Sequence, residues 1–324
     1  MNSSVKDIVN IIQNSNNILI VPHVNPDGDC VGSAIALKLF LQNELNKTAT
    51  LFIQSKVPDL YKFLPETDNF KTIDEINKEQ FDTVIAIDCA SKDRMTTAIN
   101  VFDNAKITIN IDHHKTNPKF AKYNYVYSNK SSAGEVLYNF SKDADWKINR
   151  DIANCLYVSI LTDTGGFKFE NTTADTFRTV AGLMEYGINP TLLYRCCYES
   201  KPVEMVKLSA TVVSKSEFVC NGKVAYSVIT LDDMKKNNAL NEHTDGIVEM
   251  LRQVDSVDLA FIIKETEDGY SKISLRSKSI DVTKIASKFD GGGHSKAAGC
   301  TIKKNYSVAL NKLIDAIKEE TSWC

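Results

Sequence analysis

Short blocks of apolar residues return at regular intervals along the first half of the chain. "NILIVPH" (17–23), "TATLFIQ" (48–54), "DTVIAID" (82–88) and "KITINID" (106–112) are rich in β-branched residues. Unbroken runs of this length fit strands buried on both faces, as in a parallel sheet. Elsewhere apolar residues recur at helical spacing. They do so in "GSAIALKLFLQNEL" (32–45), over 132–142 with Ser131 or Ser132 as N-cap, and over 150–162. Strands alternating with helices predict βαβ units, and so a doubly wound α/β domain with a mainly parallel sheet.

The period changes after "YGINP" (186–190). A helix is expected over about 202–215, followed by "SEFVCNGKVAYSVIT" (216–230), where Asn221-Gly222 between two β-rich runs predicts a hairpin. "VDLAFIIKETEDGYSKISLRS" (257–277) predicts another, turning at Asp268-Gly269. Helices are expected over 281–289 and 306–320, and "SKAAG" (295–299) reads as the start of a helix-like stretch. This half predicts a second, smaller α+β domain with its own sheet. The expected division is 1–187, a connector over 188–206, and 207–324.

Composition narrows the class. A chain of 324 residues can build two cores, and 43% hydrophobic with 24% charged residues is ordinary for a globular protein. No run approaches the length needed to cross a bilayer. "MNSSVKDIVNIIQNSNN" lacks the basic-then-apolar order of a secretory leader, so a cytoplasmic protein is expected. The eight cysteines form no CxxC pair, and reduced, mostly buried thiols are expected. Net charge is −3 without a basic tract. That argues against long nucleic acids and membrane surfaces as partners and leaves small phosphorylated ligands open.

The informative polar residues fall at strand ends. "PHVNPDGDCVGS" (22–33) leaves the first strand as a loop carrying His23, Asp27 and Asp29. The third expected strand ends at Asp88, and the fourth runs into Asp112, His113 and His114. Asp163 follows a helix in "SILTDTGGFKF" (159–169). In an open parallel sheet, loops at the carboxyl ends of strands converge on one crevice. Carboxylates gathered there repel one another and lose hydration unless a cation joins them. Mixed carboxylate and imidazole ligation suits Mn²⁺ or Fe²⁺ and accepts Mg²⁺ or Zn²⁺. So many acidic oxygens favour two ions, with Asp88, on a short strand end, placed to bridge them.

Each residue alone has an ordinary structural reading. Asp27 and Asp29 could shape a turn, Asp88 could cap a helix, and His23 could be a satisfied structural histidine. Their joint placement at consecutive strand ends is what favours a metal site.

At this point a family resemblance becomes specific. "HVNPDGDCVGS", "VIAIDCAS", "NIDHHKTN" and "LTDTGGFKF" resemble the four motifs of the DHH phosphoesterases, and "FDGGGHSKAAGC" after "KISLRSKS" resembles the DHH-associated C-terminal domain. The likeness runs nearly the length of the chain, and its compact size resembles the bacterial bifunctional oligoribonucleases. It implies His23 and Asp27 on one ion, Asp29 and His113 on a second, Asp88 bridging and Asp163 completing the shell. The ions implied are two divalent metals, Mn²⁺ foremost, with Mg²⁺, Co²⁺ or Fe²⁺ as substitutes. Asp112 would orient a neighbouring histidine, and His114 would face the substrate phosphate. Arg276 with Ser277, and Gly292, Gly293 and His294, would bind the far end of a nucleotide.

The implied activity is hydrolysis of oligoribonucleotides about 2–5 units long to mononucleotides, with removal of the 3′-phosphate of 3′-phosphoadenosine 5′-phosphate. The implied partners are short RNA and small phosphorylated nucleotides, and a homodimer is compatible with the resemblance. A phosphodiesterase dedicated to linear or cyclic dinucleotides, and a nucleotide-binding regulator without turnover, are the alternatives. Cys30 stands where family members often carry a smaller residue, and reads as a small buried filler.

Overall fold

A computed structural model describes residues 2–54, 56–77 and 79–324. The chain divides into two compact units, Met1–Ser200 and Lys201–Cys324.

The first unit is built on six strands: β1 (Ile18–Val21), β2 (Ala49–Phe52), β3 (Phe70–Lys71), β4 (Thr83–Ile87), β5 (Ile107–Asp112) and β6 (Tyr123–Val126). They form one parallel sheet in the order β3-β2-β1-β4-β5-β6. This is the doubly wound α/β arrangement. The winding reverses between β1 and β4, which opens a crevice at their carboxyl ends. Both faces are covered, so alternate residues of one strand serve two cores. Ile18 and Ile20 join the cluster with Phe40, Phe140 and Trp146, while Leu19 and Val21 join Met95 and Phe102 on the other side. The short strands β3 and β6 and the helix Val5–Gln13 went unread in the sequence. Two strand residues leave no legible period, and Phe70 and Lys71 are only half-buried.

The helix after β1 starts earlier than expected. It spans Gly28–Leu45, so Asp29 and Cys30 lie in its first turn and the loop ends at Asp27. The Asp27 carboxylate caps it, accepting the Cys30 amide at 3.0 Å. Two glycines in this stretch are packing residues rather than turn residues. A Cβ on Gly28 would lie 2.5 Å from the Thr162 side chain, and one on Gly32 would lie 2.5 Å from the Cys155 carbonyl. With no side chain at these two positions, this helix approaches Arg150–Asp163, the helix that ends at the candidate ligand, closely.

The second unit carries a mixed sheet of β7 (Glu217–Val219), β8 (Val224–Ile229), β9 (Leu259–Glu265), β10 (Ser271–Ser277), β11 (Gly292–His294) and β12 (Ala297–Ile302). Their order is β11-β12-β10-β9-β8-β7. The two expected hairpins, β7–β8 and β9–β10, are antiparallel. The pair β8–β9 is parallel and joined by a crossover holding helices Leu231–Lys236 and Ile247–Arg252. Of the stretch expected to turn helical at "SKAAG", Ser295 and Lys296 form a turn and Ala297–Gly299 open β12. It pairs with β10 along its whole length, and "GGGH" folds back on it as β11. A run of small residues says little about period, and here ladder hydrogen bonds override the helical preference of alanine.

One expectation about cysteine is corrected. Cys220, in the β7–β8 turn, is disulfide-bonded to Cys324 at the end of the chain. Cys30, Cys89, Cys155, Cys197 and Cys300 are free and buried.

Candidate metal centre

His23 lies just past β1, His113 directly past β5 and Asp88 directly past β4, around the point where the winding reverses. The His23 Nδ1 is 2.7 Å from the Val24 carbonyl and 3.2 Å from Arg94 Nη2, the shorter contact being the one a proton on Nδ1 satisfies, and Nε2 faces the carboxylates. Nε2 stands 3.4 Å from Asp88 Oδ2 and 3.7 Å from Asp27 Oδ2. His113 is arranged alike, with Nδ1 3.3 Å from the Lys130 carbonyl. Its Nε2 is 3.5 Å from Asp29 Oδ2, 3.5 Å from Asp88 Oδ1 and 3.6 Å from Asp163 Oδ2. Asp88 therefore offers one oxygen to each histidine. The six sequence-derived ligand candidates form two sets that meet at one carboxylate.

These spacings suit a shared cation better than direct bonding. They are long for hydrogen bonds. At 3.4–3.7 Å they lie at or slightly above the roughly 3–3.5 Å edge of a coordination shell built on bonds of about 2.1 Å. Asp88 is 2% exposed, and its Oδ1 has no hydrogen-bond partner among the described residues. An ionised oxygen buried without a donor is costly, and a divalent cation satisfies it. Asp88 also holds a left-handed backbone (φ 55°). That strain, costing about 1–3 kcal/mol, is of the kind found at functional sites.

The protonation pattern points the same way. Burial alone would pull the His23 imidazole down, yet the adjoining Asp27 and Asp88 carry it up to about 10. Against the same burial, Asp88 with Asp29 and Asp163 carries His113 up to about 11. Asp88 is buried too, but its two imidazole partners hold it below the usual carboxylate range. Burial and the Asp88 charge push Asp29 up. Burial likewise lifts Asp163 to about 6. In the metal-free protein, protons on the imidazoles supply the positive charge that the carboxylates require.

Neighbouring elements hold these groups in place. Asp29 accepts the Ala133 and Gly134 amides at 2.8 and 3.2 Å and the Ser159 hydroxyl. Those amides open the helix Ala133–Asp143, whose N-cap is Ser132 and whose positive end faces the carboxylate. Asp112 is fully buried and bonds His114 Nδ1 at 2.8 Å, which holds that ring beside His113, with centroids 4.6 Å apart, and Nδ1 3.7 Å from Asp88 Oδ1. The other Asp112 oxygen accepts from Asn117 Nδ2 at 2.5 Å, and that amide also reaches Asn110 and the Cys89 carbonyl. Asn171 donates to Asp163 at 3.2 Å. Sequence reasoning passed over Asn117 and Asn171. Asn117 was within sight, three residues past the last histidine in "HHKTN". The Cys30 thiol lies near His23 and Asp88 but points to the His23 carbonyl at 3.9 Å.

The candidates of the second unit form a group of their own. Arg276 Nε bonds Glu249 Oε1 at 2.7 Å. Ser277 is buried, its hydroxyl accepting the Ser279 and Ile280 amides at 3.2 and 2.9 Å. The ladder pairs His294 with Ala297 and Ala297 with Arg276. Directly paired residues share a face, so His294 and Arg276 point the same way about 10 Å apart. Gly292 and Gly293 are exposed on the edge strand, and a Cβ on Gly292 would meet nothing within 4 Å. Arg276 also borders a pocket of about 930 Å³ with Lys272, Lys288 and Gly291.

A parallel sheet with a His–Asp cluster at its winding reversal, joined to a second sheet-bearing unit, defines the class of two-domain metal-binding phosphoesterases. The pattern of the N-terminal domain of the DHH family matches residues 17–160, and that of the DHHA1 domain matches residues 221–322. The bifunctional oligoribonuclease and PAP phosphatase NrnA of Thermus thermophilus is 30% identical over 94% of this chain and 90% of its own. The protein of the same name from Bacillus subtilis is 26% identical, with 91% and 92% covered. An exopolyphosphatase-related protein of Bacteroides fragilis shares the fold with a TM-score of 0.90 at 23% identity, covering 97% of this chain and 95% of its own. The chain belongs to the DHH family.

Proposed function

We propose that this protein is a two-metal phosphodiesterase that degrades oligoribonucleotides of about 2–5 units to mononucleotides. We also propose that it removes the 3′-phosphate of 3′-phosphoadenosine 5′-phosphate. The observation that carries the reading is Asp88, a buried carboxylate between His23 and His113 with one oxygen lacking a hydrogen-bond donor. Near full-length similarity to proteins named for those two activities supports the substrate class. In this reading His23, Asp27 and Asp88 hold one ion and Asp29, His113, Asp88 and Asp163 the other, with Mn²⁺ the metal that best suits mixed donors.

Bound divalent ions supply Lewis acidity toward phosphoryl oxygens. The remaining work falls to the protein. Asp112, fixed by Asn117, keeps a proton on His114 Nδ1, and the Asp112 charge holds that imidazole above its ordinary pKa despite burial. Its Nε2 proton is then available to a phosphoryl oxygen or the departing alkoxide. Asp27, which would help hold one ion, is half exposed, so solvent and substrate can reach that side of the site. No helix among the described residues is long and apolar enough to cross a membrane.

The test is a product-resolved time course with Mn²⁺, using a 5′-phosphorylated RNA trinucleotide and 3′-phosphoadenosine 5′-phosphate as separate substrates. Mononucleotides from the first and inorganic phosphate from the second are expected. Protein that holds two ions yet turns over neither would move the function to another phosphoester.

A further inference from the structure

The residues that follow Asp163 build an exposed aromatic rim that the metal chemistry does not use. Gly165, Gly166 and Phe167 are all left-handed, with φ of 58°, 71° and 66°. Glycine adopts that backbone freely, but for phenylalanine it is strained. The turn folds the Phe169 ring over Gly165, where a Cβ would come within 2.4 Å of it, yet leaves the side chain 52% exposed. Gly166 faces Tyr194 and Tyr198, whose rings lie 3.5 and 3.7 Å from where its Cβ would be. Tyr194 is 40% exposed. Tyr198 supports it, with ring centroids 5.0 Å apart, and is pinned by its hydroxyl donating to the Leu161 carbonyl at 3.1 Å. Tyr198 lies in a five-residue π-turn, Arg195–Glu199, a geometry concentrated at functional sites.

We infer that Phe169 and Tyr194, backed by Tyr198, seat the nucleobase next to the phosphate held at the Asp88 centre. Three features select a base over other occupants. The rings stand on the two glycines that follow Asp163-Thr164, Tyr198 is pinned to Leu161 on the helix that ends at Asp163, and Asn171, two residues past Phe169, donates to Asp163, so the rim borders that site. Aromatic faces bind any base by stacking, which fits substrates varied in sequence. Glycines at 165 and 166 keep the floor beneath the rings free of side chains. The inference deepens the proposed function and rests on it.

The test compares wild type with Tyr194→Ala and Phe169→Ala, both at exposed positions. The substrates are a 5′-phosphorylated diadenosine and the same compound abasic on one side. Loss of stacking should lower kcat/KM on the base-bearing substrate about 10- to 100-fold through KM, so its advantage over the abasic one collapses toward unity. Tyr194→Trp should restore it. Calorimetric binding of adenosine 5′-monophosphate to the Mn²⁺-loaded protein gives a readout independent of turnover, and should weaken in parallel. If wild type hydrolyses neither substrate, the functional reading fails, and this binding measurement alone decides the inference. Equal losses on both substrates, or a changed oligomeric state at unchanged nucleotide affinity, would overturn the base seat in favour of a structural role or a contact between copies.

Discussion

The metal end of the first unit and the glycine-rich edge of the second were both marked by sequence motifs, yet they are built differently. Around Asp88 the candidates other than half-exposed Asp27 are largely buried, and each is positioned by a helix terminus, a backbone carbonyl or an amide such as Asn117. Around Arg276 the candidates are either exposed, like His294, or already bonded, like Arg276 to Glu249. Chemistry on phosphorus needs donors fixed before the substrate arrives. Recognition tolerates side chains that change partner when the ligand binds. The contrast separates a prearranged cluster from a group whose bonds would have to exchange if, as proposed, it binds the substrate.

The sharpest way to break that contrast is Asp88→Ala. It should lower turnover by about three orders of magnitude or more and reduce Mn²⁺ stoichiometry measured by calorimetry. Near-normal activity in metal-replete buffer would sink the shared-ligand assignment.

Next in size is the pH response of metal-free protein. His23 and His113 keep protons that an unfolded chain would release near pH 6.5. The stability they add is complete below pH 6.5 and is lost as pH rises toward 10. Thermal melts in chelator should therefore fall across that window. Mn²⁺ affinity should rise over the same range, because binding displaces the protons. Melts that rise with pH in chelator would contradict the protonation pattern.

Gly134→Ala tests how tightly the prearranged side is packed. A Cβ there would lie 2.0 Å from Ser159 Oγ, the hydroxyl that bonds Asp29. Overpacking should cost about 1–3 kcal/mol, read as a lowered melting temperature. Gly292→Ala, which meets open space, should stay within about 0.5 kcal/mol of wild type. Equal destabilisation by the two would erase the distinction between the regions.

The smallest effect concerns the other side. Glu249→Gln releases Arg276 from its carboxylate and should tighten inorganic phosphate binding about two- to fivefold. No change would mean that Arg276 is occupied for structural reasons only.

How much of this was legible in the sequence follows from the length of the signal. The runs at 17–23, 82–88 and 106–112 are long and bounded by polar residues, so the parallel sheet and the strand-end positions of Asp88 and His113 could be read directly. The start of the helix at Gly28 could not, because "DGD" is a turn signal unless a partner helix demands glycine. "SKAAG" misled for a related reason: small residues fit helix and strand alike until a ladder claims them. Asn117 and Asn171 act through side-chain contacts with groups that only the fold brings near.

The Cys220–Cys324 bond has a consequence for chain topology. Its two ends lie 104 positions apart, so all but the first strand and helix of the second unit form a covalent ring. A protease that cuts the exposed Asp268-Gly269 turn would open the ring without releasing a fragment. The nicked protein should migrate as one band under non-reducing conditions and as two once a thiol is added. Two bands without reductant would show the ring to be open in the isolated protein.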